Sequence, residues 1–243
     1  MPSIREEDSG APWTPTPTPI RHETEYVVTH GAGFSTFQHL HREVESTLHV
    51  GVAERDPVKI TRLRLTNRGR KKKRLTITYF AEWTLGVQRE HTQHQVVTDY
   101  DRKLGAILAR NTTDAPFAGM VAFAALSERV HTWTADRREF LGRHGAASDP
   151  AALREPGALL HETAGGAIDP CAALQCVVDL KPGETREIIA LLGADHGEAA
   201  VRDLLGRHRS PPQATAELDR QLASWDRLLS AVVVWPLSRS VSW

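Results

Sequence analysis

The sequence predicts a mainly β fold, a large antiparallel β-sandwich followed by two α-helices. Three observations lead to this prediction. Short runs rich in Val, Ile, Thr and aromatic residues recur between turn residues up to residue 192. Several runs alternate apolar and polar residues with a period of two, which is typical of half-buried antiparallel strands. After Gly193 the spacing becomes helical, and many strands followed by two helices indicate a sandwich with a helical extension.

Turn residues separate the predicted strands. Trp13–Ile20 is punctuated by prolines that fix φ, so it is an entry segment or an edge strand. The polar run Asn67–Lys73 connects two strands that we expect to pair, Lys181–Glu184 is a Pro-Gly turn, and Asp136–Ala167 is loop-rich. The predicted strands are Glu25–His30, Phe34–His41, Val44–Val52, Val58–Thr66, Leu75–Trp83, Val96–Asp99, Gly105–Arg110, Met120–Ala125, Ala172–Leu180 and Thr185–Leu192.

The two predicted helices follow Gly193. The first spans His196–Arg209, and the second begins at Ser210, a good N-cap that is followed by Pro211 at the first helical position. An apolar stripe along the second helix must pack against something. The residues of this stripe are Leu218, Leu222, Trp225, Leu229 and Val232.

Three parts of the chain are predicted: a β domain at 1–193, linker helices at 194–234 and an irregular tail at 235–243. The tail reads WPLSRSVSW and has neither a helix cap nor a periodic pattern. Two interpretations stay open here. The sequence is a fragment whose helical partner is missing, or it is a complete domain with an irregular tail.

Composition excludes several classes of protein. Lys plus Arg and Asp plus Glu number 30 each among 243 residues, and zero net charge argues against a dedicated nucleic-acid binder. No apolar run approaches the ~20 residues needed to cross a bilayer. The start, PSIREEDSGAP, does not resemble a signal peptide. Cys171 and Cys176 match no CxxC or zinc spacing, so we expect buried reduced thiols and a cytoplasmic setting.

Two motifs were weighed as binding sites. RGRKKKR at 68–74 is a phosphate-binding candidate, but it lies where a turn is predicted, so a solvated turn is the favoured interpretation. His39 and His41 lie two apart on a strand and share a face, and His91 and His94 flank a polar loop. No third ligand stands at a supporting spacing, so we predict no metal site.

No catalytic set is predicted either. A glycosidic-bond enzyme needs a carboxyl group placed as a general acid, and four carboxyl groups lie in or near the loop-rich stretch. No pairing among them is fixed by their spacing, and the sequence holds no GxSxG and no Cys–His pattern. The four residues are Asp136, Glu139, Asp149 and Asp169.

Several segments together resemble a known family, the N-terminal β domain of cellobiose phosphorylase-type glycoside phosphorylases. This family is also called glycoside hydrolase family 94 and is glycosyltransferase 36-like. Within it, the sequence most resembles the phosphorylase-type region of cyclic β-1,2-glucan synthases. The resemblance runs in order from about Trp13 to about Val234. The matching segments are WTPTPTPI, YVVTHGAGFSTFQH, DPVKITRLRLTNRGRKKKRLTITYFAEWTLG, DRREFLGRHGAASDPAAL and DPCAALQCVVDLKPGE.

This resemblance implies a galactose mutarotase-like β-supersandwich whose linker helices lead into an (α/α)6 barrel. In the family the barrel carries the aspartate general acid and binds inorganic phosphate, a co-substrate that attacks with inversion. The present sequence departs from the family at both ends. We expect that the earliest strands of the family domain are missing, and WPLSRSVSW stands where the barrel would begin. We therefore expect no catalytic residue, no cofactor and no turnover by this chain alone, and we hypothesise termination or a frame change near Val234.

The loop after strand Leu75–Trp83 is the one candidate sugar contact. The loop of this chain resembles an arm found in dimeric family members. That arm offers a Gln-Arg pair to the acceptor-sugar subsite of the neighbouring subunit. Gln88 and Arg89 stand at the matching place. Guanidinium donors and an amide suit sugar hydroxyls. The alternative is that Arg89 is an ordinary surface arginine.

The leading functional hypothesis is a non-catalytic N-terminal domain of a β-glucan phosphorylase or glycosyltransferase. It would pack on the absent barrel, support a homodimer and shape one rim of the sugar site, in a parent enzyme that is cytoplasmic or part of an inner-membrane synthase. The alternative is a free-standing carbohydrate-binding β-sandwich. Aromatic residues make up only 6% of the chain, and Tyr79, Trp83 and Trp225 lie on apolar stripes, which disfavours that alternative.

Overall fold

Thirteen strands form two antiparallel sheets in the computed structural model, which describes residues 1–8 and 10–231. The predicted tail 235–243 and Val232 lie outside these residues. The five-stranded sheet has the order β11-β12-β7-β1-β2 and the eight-stranded sheet has the order β3-β4-β5-β6-β13-β10-β9-β8. The strands are β1 (Pro2–Glu6), β2 (Pro12–Trp13), β3 (Tyr26–Gly31), β4 (Phe34–His41), β5 (Val44–Val52), β6 (Val58–Asn67), β7 (Lys73–Glu82), β8 (Val97–Asp101), β9 (Ala106–Arg110), β10 (Met120–Leu126), β11 (Thr132–Asp136), β12 (Pro170–Leu180) and β13 (Thr185–His196).

Within the described residues, four α-helices and two short 3₁₀ turns accompany the sheets. The helices are α1 (Arg89–Thr92), α2 (Arg137–Leu141), α3 (Gly197–His208) and α4 (Pro211–Ser230), and the 3₁₀ turns are Ala115–Phe117 and Ala151–Leu153. The predicted start of α4 is confirmed. Ser210 and Gln213 form a reciprocal capping box, and Pro211 occupies the first turn.

The main hydrophobic core lies between the two sheets. Leu48 and Leu63 from the eight-stranded sheet and Ile77, Tyr79 and Leu174 from the five-stranded sheet are buried in one cluster. The period-two pattern places these residues on the inner faces, as expected for stacked sheets.

A second core lies on the outer face of the eight-stranded sheet, where α3 and α4 cover its central strands. Ile60, Phe123 and Leu191 of the sheet are buried with Leu204 of α3 and Leu218 of α4. The first half of α4 is therefore part of the folded domain.

The outer face of the five-stranded sheet is covered by the segment that the sequence predicted to be loop-rich. Phe140, Leu141, Leu153 and Leu160 form a buried cluster there, against which Phe80 of β7 packs. The prediction missed α2, whose five residues are too few for a clear helical period.

One predicted pairing is wrong: β6 and β7 belong to opposite sheets. β6 pairs with β5 and β13, whereas β7 pairs with β1 and β12. Asn67, which is fully buried, holds the crossing by donating from Nδ2 to the carbonyls of Lys71 at 2.8 Å and Leu180 at 3.0 Å. A strand-turn-strand pattern does not distinguish a hairpin from such a crossing between sheets.

The basic run is also only partly the solvated turn that was predicted. Arg68 and Lys72 are exposed, but Lys73 at the start of β7 is buried and its Nζ donates to Glu6 at 2.6 Å. Strand β1 was likewise not predicted, because charged residues in it are buried. Arg5 and Glu6 look solvent-exposed by their charge, yet Arg5 is fully buried and donates to the Glu155 carbonyl at 2.6 Å.

Candidate functional site

Arg89 lies in a cluster of four charged side chains at the end of β7, which we call the Arg89 network: Glu82, Arg89, Arg137 and Asp169. Arg137 Nε donates to Glu82 Oε1 at 2.7 Å, and its Nη1 lies 3.6 Å from Asp169 Oδ2. Arg89 Nη2 donates to Asp169 Oδ1, and its Nε lies 3.4 Å from Glu82 Oε2. The two guanidinium groups and two carboxylates cancel in charge.

Strand register brings the Arg89 network together. Glu82 ends β7 opposite Cys171 of β12, and Asp169 directly precedes that strand. Arg137 begins α2 directly after β11, which is also paired with β12. Sequence reasoning named Arg89 and Asp169, but it missed Glu82 and Arg137, because their proximity depends on long-range pairing.

The two predicted sugar contacts differ in their surroundings. Arg89 has 21% of its side chain exposed, and its Nη1 also donates to Gln93 Oε1 at 3.0 Å. Its Nε–H is buried and has no hydrogen-bond acceptor, since the contact with Glu82 lacks the required geometry. Gln88 precedes α1, its side chain makes no capping hydrogen bond, and it is exposed. The hydrogen bond to Glu82 raises the pKa of Arg137 above its ordinary value.

The second half of α4 carries three exposed apolar side chains, which we call the α4 patch. Trp225, Leu228 and Leu229 are 38%, 63% and 57% exposed. Two of them belong to the predicted apolar stripe, whose first member, Leu218, is buried in the second core. The stripe therefore starts against the sheet and continues onto an uncovered surface of the described part of the chain.

A groove of about 390 Å³ runs beside the α4 patch, between the helix and the end of β5. Val52, Trp225 and Leu228 line it. Gly33 lets the β3–β4 turn approach the helix: it has a φ of 76°, and a Cβ there would lie 2.1 Å from Trp225 Nε1.

Three histidines pack together under the entry segment, and we call His22, His39 and His41 the histidine cluster. The Tyr26 ring stacks on His39 with centroids 3.8 Å apart, and the His22 and His41 centroids are 4.3 Å apart. The Nε2 atom of each of the three histidines is buried without a hydrogen-bond partner. Desolvation lowers the pKa of His39, and it lowers that of His41 to about 4.

The described residues contain no group of three or more side chains arranged to hold a metal ion. In the histidine cluster, His39 uses Nδ1 on the Glu25 carbonyl at 3.0 Å, and the rings stack rather than surround a common point. His91 lies in α1 and His94 follows it, and both are exposed.

The four candidate carboxyl groups all make structural contacts. Asp136 caps α2 by accepting from the Arg138 amide at 2.9 Å, and Glu139 accepts from Thr134 Oγ1 at 2.6 Å. Asp149 accepts from Arg154, and Asp169 belongs to the Arg89 network. Each of the four carboxylates therefore already accepts a hydrogen bond from a group of this chain.

Both cysteines are buried free thiols on β12, as predicted. Burial raises the pKa of Cys171, and it raises that of Cys176 to about 12, so neither is a ready nucleophile. None of the helices within residues 1–8 and 10–231 has the length and apolar content that crossing a membrane requires.

Comparison with known proteins adds a family match. Residues 3–211 match the family described as "Glycosyl hydrolase 94, supersandwich domain". Cyclic β-(1,2)-glucan synthase NdvB of Rhizobium meliloti (strain 1021) is 31% identical over 232 residues, covering 95% of this chain and 8% of that protein. Solabiose phosphorylase of Paenibacillus borealis is 26% identical over 235 residues, covering 95% and 30%. The chain thus spans less than a third of either relative.

The solved structures that this chain matches are more distant in sequence. A GalM/aldose epimerase homologue from C. elegans has a TM-score of 0.41 and 12% identity, covering 72% of this chain and 69% of that one. A protein assigned as a kojibiose phosphorylase from the human microbiome has a TM-score of 0.42 and 7% identity, covering 92% and 24%.

Proposed function

The chain belongs to the supersandwich domain family of glycosyl hydrolase 94, and from this premise we propose that it is a non-catalytic scaffold for a helical catalytic domain acting on β-glucans. The single observation that carries the proposal is the α4 patch. Its three side chains lie at i, i+3 and i+4 on one face of a helix that is otherwise anchored to the sandwich. Such a face is typical of a helix that packs on a further helix.

The anchoring of α4 supports this role, because it fixes where the α4 patch points. Arg62 Nη1 donates to Thr215 Oγ1 at 2.9 Å, and Glu217 Oε1 accepts from the Glu54 amide at 2.8 Å. Both contacts join the helix to the eight-stranded sheet or its connections. A docked domain would therefore take a defined orientation on the sandwich.

The chemistry is assigned to the docked domain. The family resemblance gives that domain the general acid and the phosphate site, and the candidate carboxylates described above are held by contacts within this chain. Inorganic phosphate would then be a co-substrate bound by the partner domain, and this chain would need no cofactor. The relatives named as a glucan synthase and a phosphorylase support glucans or glucosyl oligosaccharides as the substrate class.

Gln88 and Arg89 are proposed to form one rim of the acceptor-sugar site of a neighbouring copy in a homodimer. The exposed Gln88 amide offers both a donor and an acceptor, and 21% of the Arg89 side chain is exposed next to it. The two reduced thiols support a cytoplasmic location for this domain, whether the parent is free or part of a membrane-associated synthase.

A docking experiment tests the proposed scaffold role. The chain is titrated with a separately expressed (α/α)6 domain of a family relative, and binding is measured by calorimetry. We expect binding by the native chain and its loss when the α4 patch is changed to serine at all three positions. A matched control changes Ala216 and Ala223, which are exposed elsewhere on α4, to serine and should bind normally. No binding by the native chain, or equal binding by the patch variant, would contradict the proposal.

A further inference from the structure

A small cleft opens on the outer side of the five-stranded sheet, at the end of β7. Its volume is about 360 Å³, near the lower end of the range for ligand pockets. It is lined by Thr18 and Pro19 of the entry segment, by Ala147 and Pro150 of the segment after α2, and by Phe80 of β7. This size suits one or two sugar rings rather than a long chain.

The floor of the cleft is apolar and rigidly supported. Phe80 stacks on Phe140 with ring centroids 4.6 Å apart and an interplanar angle of 20°. Phe140 is fully buried in a cluster with Leu141 and Leu153, whereas Phe80 is only half-buried. A buried ring therefore holds the Phe80 ring in place. The C–H face of a pyranose is the part of a sugar that packs on such a surface.

The rim of the cleft is polar, and Glu82 is the one charged side chain among the residues that line it. Glu82 lines the cleft and also belongs to the Arg89 network, in which two guanidinium groups balance two carboxylates. Ser3 and Thr18 add hydroxyl groups. The Glu82 carboxylate disfavours an anion, and its contacts with Arg137 and Arg89 already balance its charge, so a cation gains little from it. A neutral polyol can still donate to this carboxylate and exchange hydrogen bonds with the hydroxyl groups. An apolar floor with this rim thus favours a neutral sugar.

We propose that this cleft binds a terminal glucosyl unit of a β-linked glucan. The apolar face of the ring packs on Phe80, and ring hydroxyls donate to the Glu82 carboxylate at the edge of the Arg89 network. The choice of glucose rests on the proposed function, but the position and the neutral character of the ligand rest on the cleft itself. This site lies on the sandwich domain and requires no residue from another chain.

The test is ligand-observed NMR with the full 243-residue chain and two probes, the β-1,2-linked disaccharide sophorose and the β-1,4-linked disaccharide cellobiose. We expect saturation transfer from the protein to the C–H protons of one glucosyl ring of at least one probe. Ala147→Leu fills the cleft from an exposed turn, and we expect it to raise the apparent Kd about tenfold or more. Ala146→Leu is the matched control, because Ala146 is the exposed neighbour that does not line the cleft, and it should bind like the native chain.

Glu82→Gln gives a second variant that keeps the size of the side chain while removing the charge, and it should also weaken binding. Circular dichroism verifies that each variant is folded. Absence of transfer to both sugars, or transfer that Ala147→Leu leaves unchanged, would overturn the proposal. Phenol serves as a third probe, for an apolar ligand. Transfer to phenol with none to either sugar would assign the cleft to an apolar protein side chain and would also overturn the proposal. Either failure leaves docking through the α4 patch intact, since that experiment measures a different surface.

Discussion

Acidification from pH 7.5 to pH 5 is expected to destabilise the fold through the histidine cluster. His41 is 9% exposed, its Nε2 has no hydrogen-bond partner, and its pKa falls to about 4. Desolvation is the main cause of this lowered pKa, and the positive charges of His22, Arg42 and His39 lower it further. The negative charge of Glu6 raises the pKa of His41 and so partly offsets these effects. Because the folded pKa lies below the unfolded value, the unfolded state takes up the proton first. Stability is therefore complete above pH 6.5 and is lost as the pH falls towards 4.

The size of this effect follows from linkage. A pKa of 6.5 in the unfolded chain and about 4 in the folded chain lowers the free energy of unfolding by about 2 kcal/mol between pH 7.5 and pH 5. This is an upper limit for His41, because water reaches part of the cluster and screens it. The lowered pKa of His39 acts in the same direction. In a chain of this length, such a loss corresponds to a fall in Tm of about 4–8 °C.

Urea unfolding at pH 7.5, 6 and 5 measures the loss, and His41→Phe isolates its source. Phenylalanine keeps an aromatic ring against Trp13, whose centroid lies 5.2 Å from that of His41, but it binds no proton. We expect the variant to lose at least ~1 kcal/mol less than the native chain over this range. Carboxylates with lowered pKa values, such as Glu7 and Asp56, are common to both proteins and cancel in the comparison. The same pH dependence in both proteins would refute the reasoning.

Three further predictions concern other parts of the fold. Lys73→Met removes the hydrogen bond of 2.6 Å from Lys73 Nζ to the buried Glu6 carboxylate and should lower the free energy of unfolding, measured in urea, by about 2 kcal/mol. An unchanged urea midpoint would count against this buried pair. Cys171 and Cys176 should resist alkylation by iodoacetamide at pH 8 in the native protein and react in urea. Mass spectrometry detects the alkylation, and modification of either cysteine in the native protein would show that its pKa is not raised. Serine at all three positions of the α4 patch should weaken self-association of the isolated chain, because partial burial of these side chains is worth ~3 kcal/mol, or about a 100-fold change in Kd. Sedimentation velocity measures the self-association, and equal self-association of the patch variant and the native chain would contradict this prediction.

Local patterns allowed much of the fold to be predicted. The bounds of β4 and β5 agree with prediction, because apolar alternation defines β5 and turn residues flank β4. The polar pair Arg42-Glu43 between the two strands forms the turn, with positive φ values of 46° and 67°. The start of α4 was also predictable, since Ser210 and Pro211 are strong local signals. These features depend on residues close together in sequence.

Long-range features were not predictable in the same way. Strand β1 carries Arg5 and Glu6, whose charges conceal their burial until their partners are known. The Arg89 network was incomplete for a related reason, because Glu82 and Arg137 meet only through the register of β7, β11 and β12. The sequence named Arg89 and Asp169 as separate candidates but did not reveal that they meet, and the role of Arg89 as a sugar contact stays a prediction.

We propose that this domain supports catalysis without performing it. Glucose 1-phosphate release from sophorose and cellobiose, measured in the presence of inorganic phosphate, tests this most directly. We expect no release above the blank by the purified 243-residue chain at any concentration. Release in proportion to the concentration of this chain alone would contradict it.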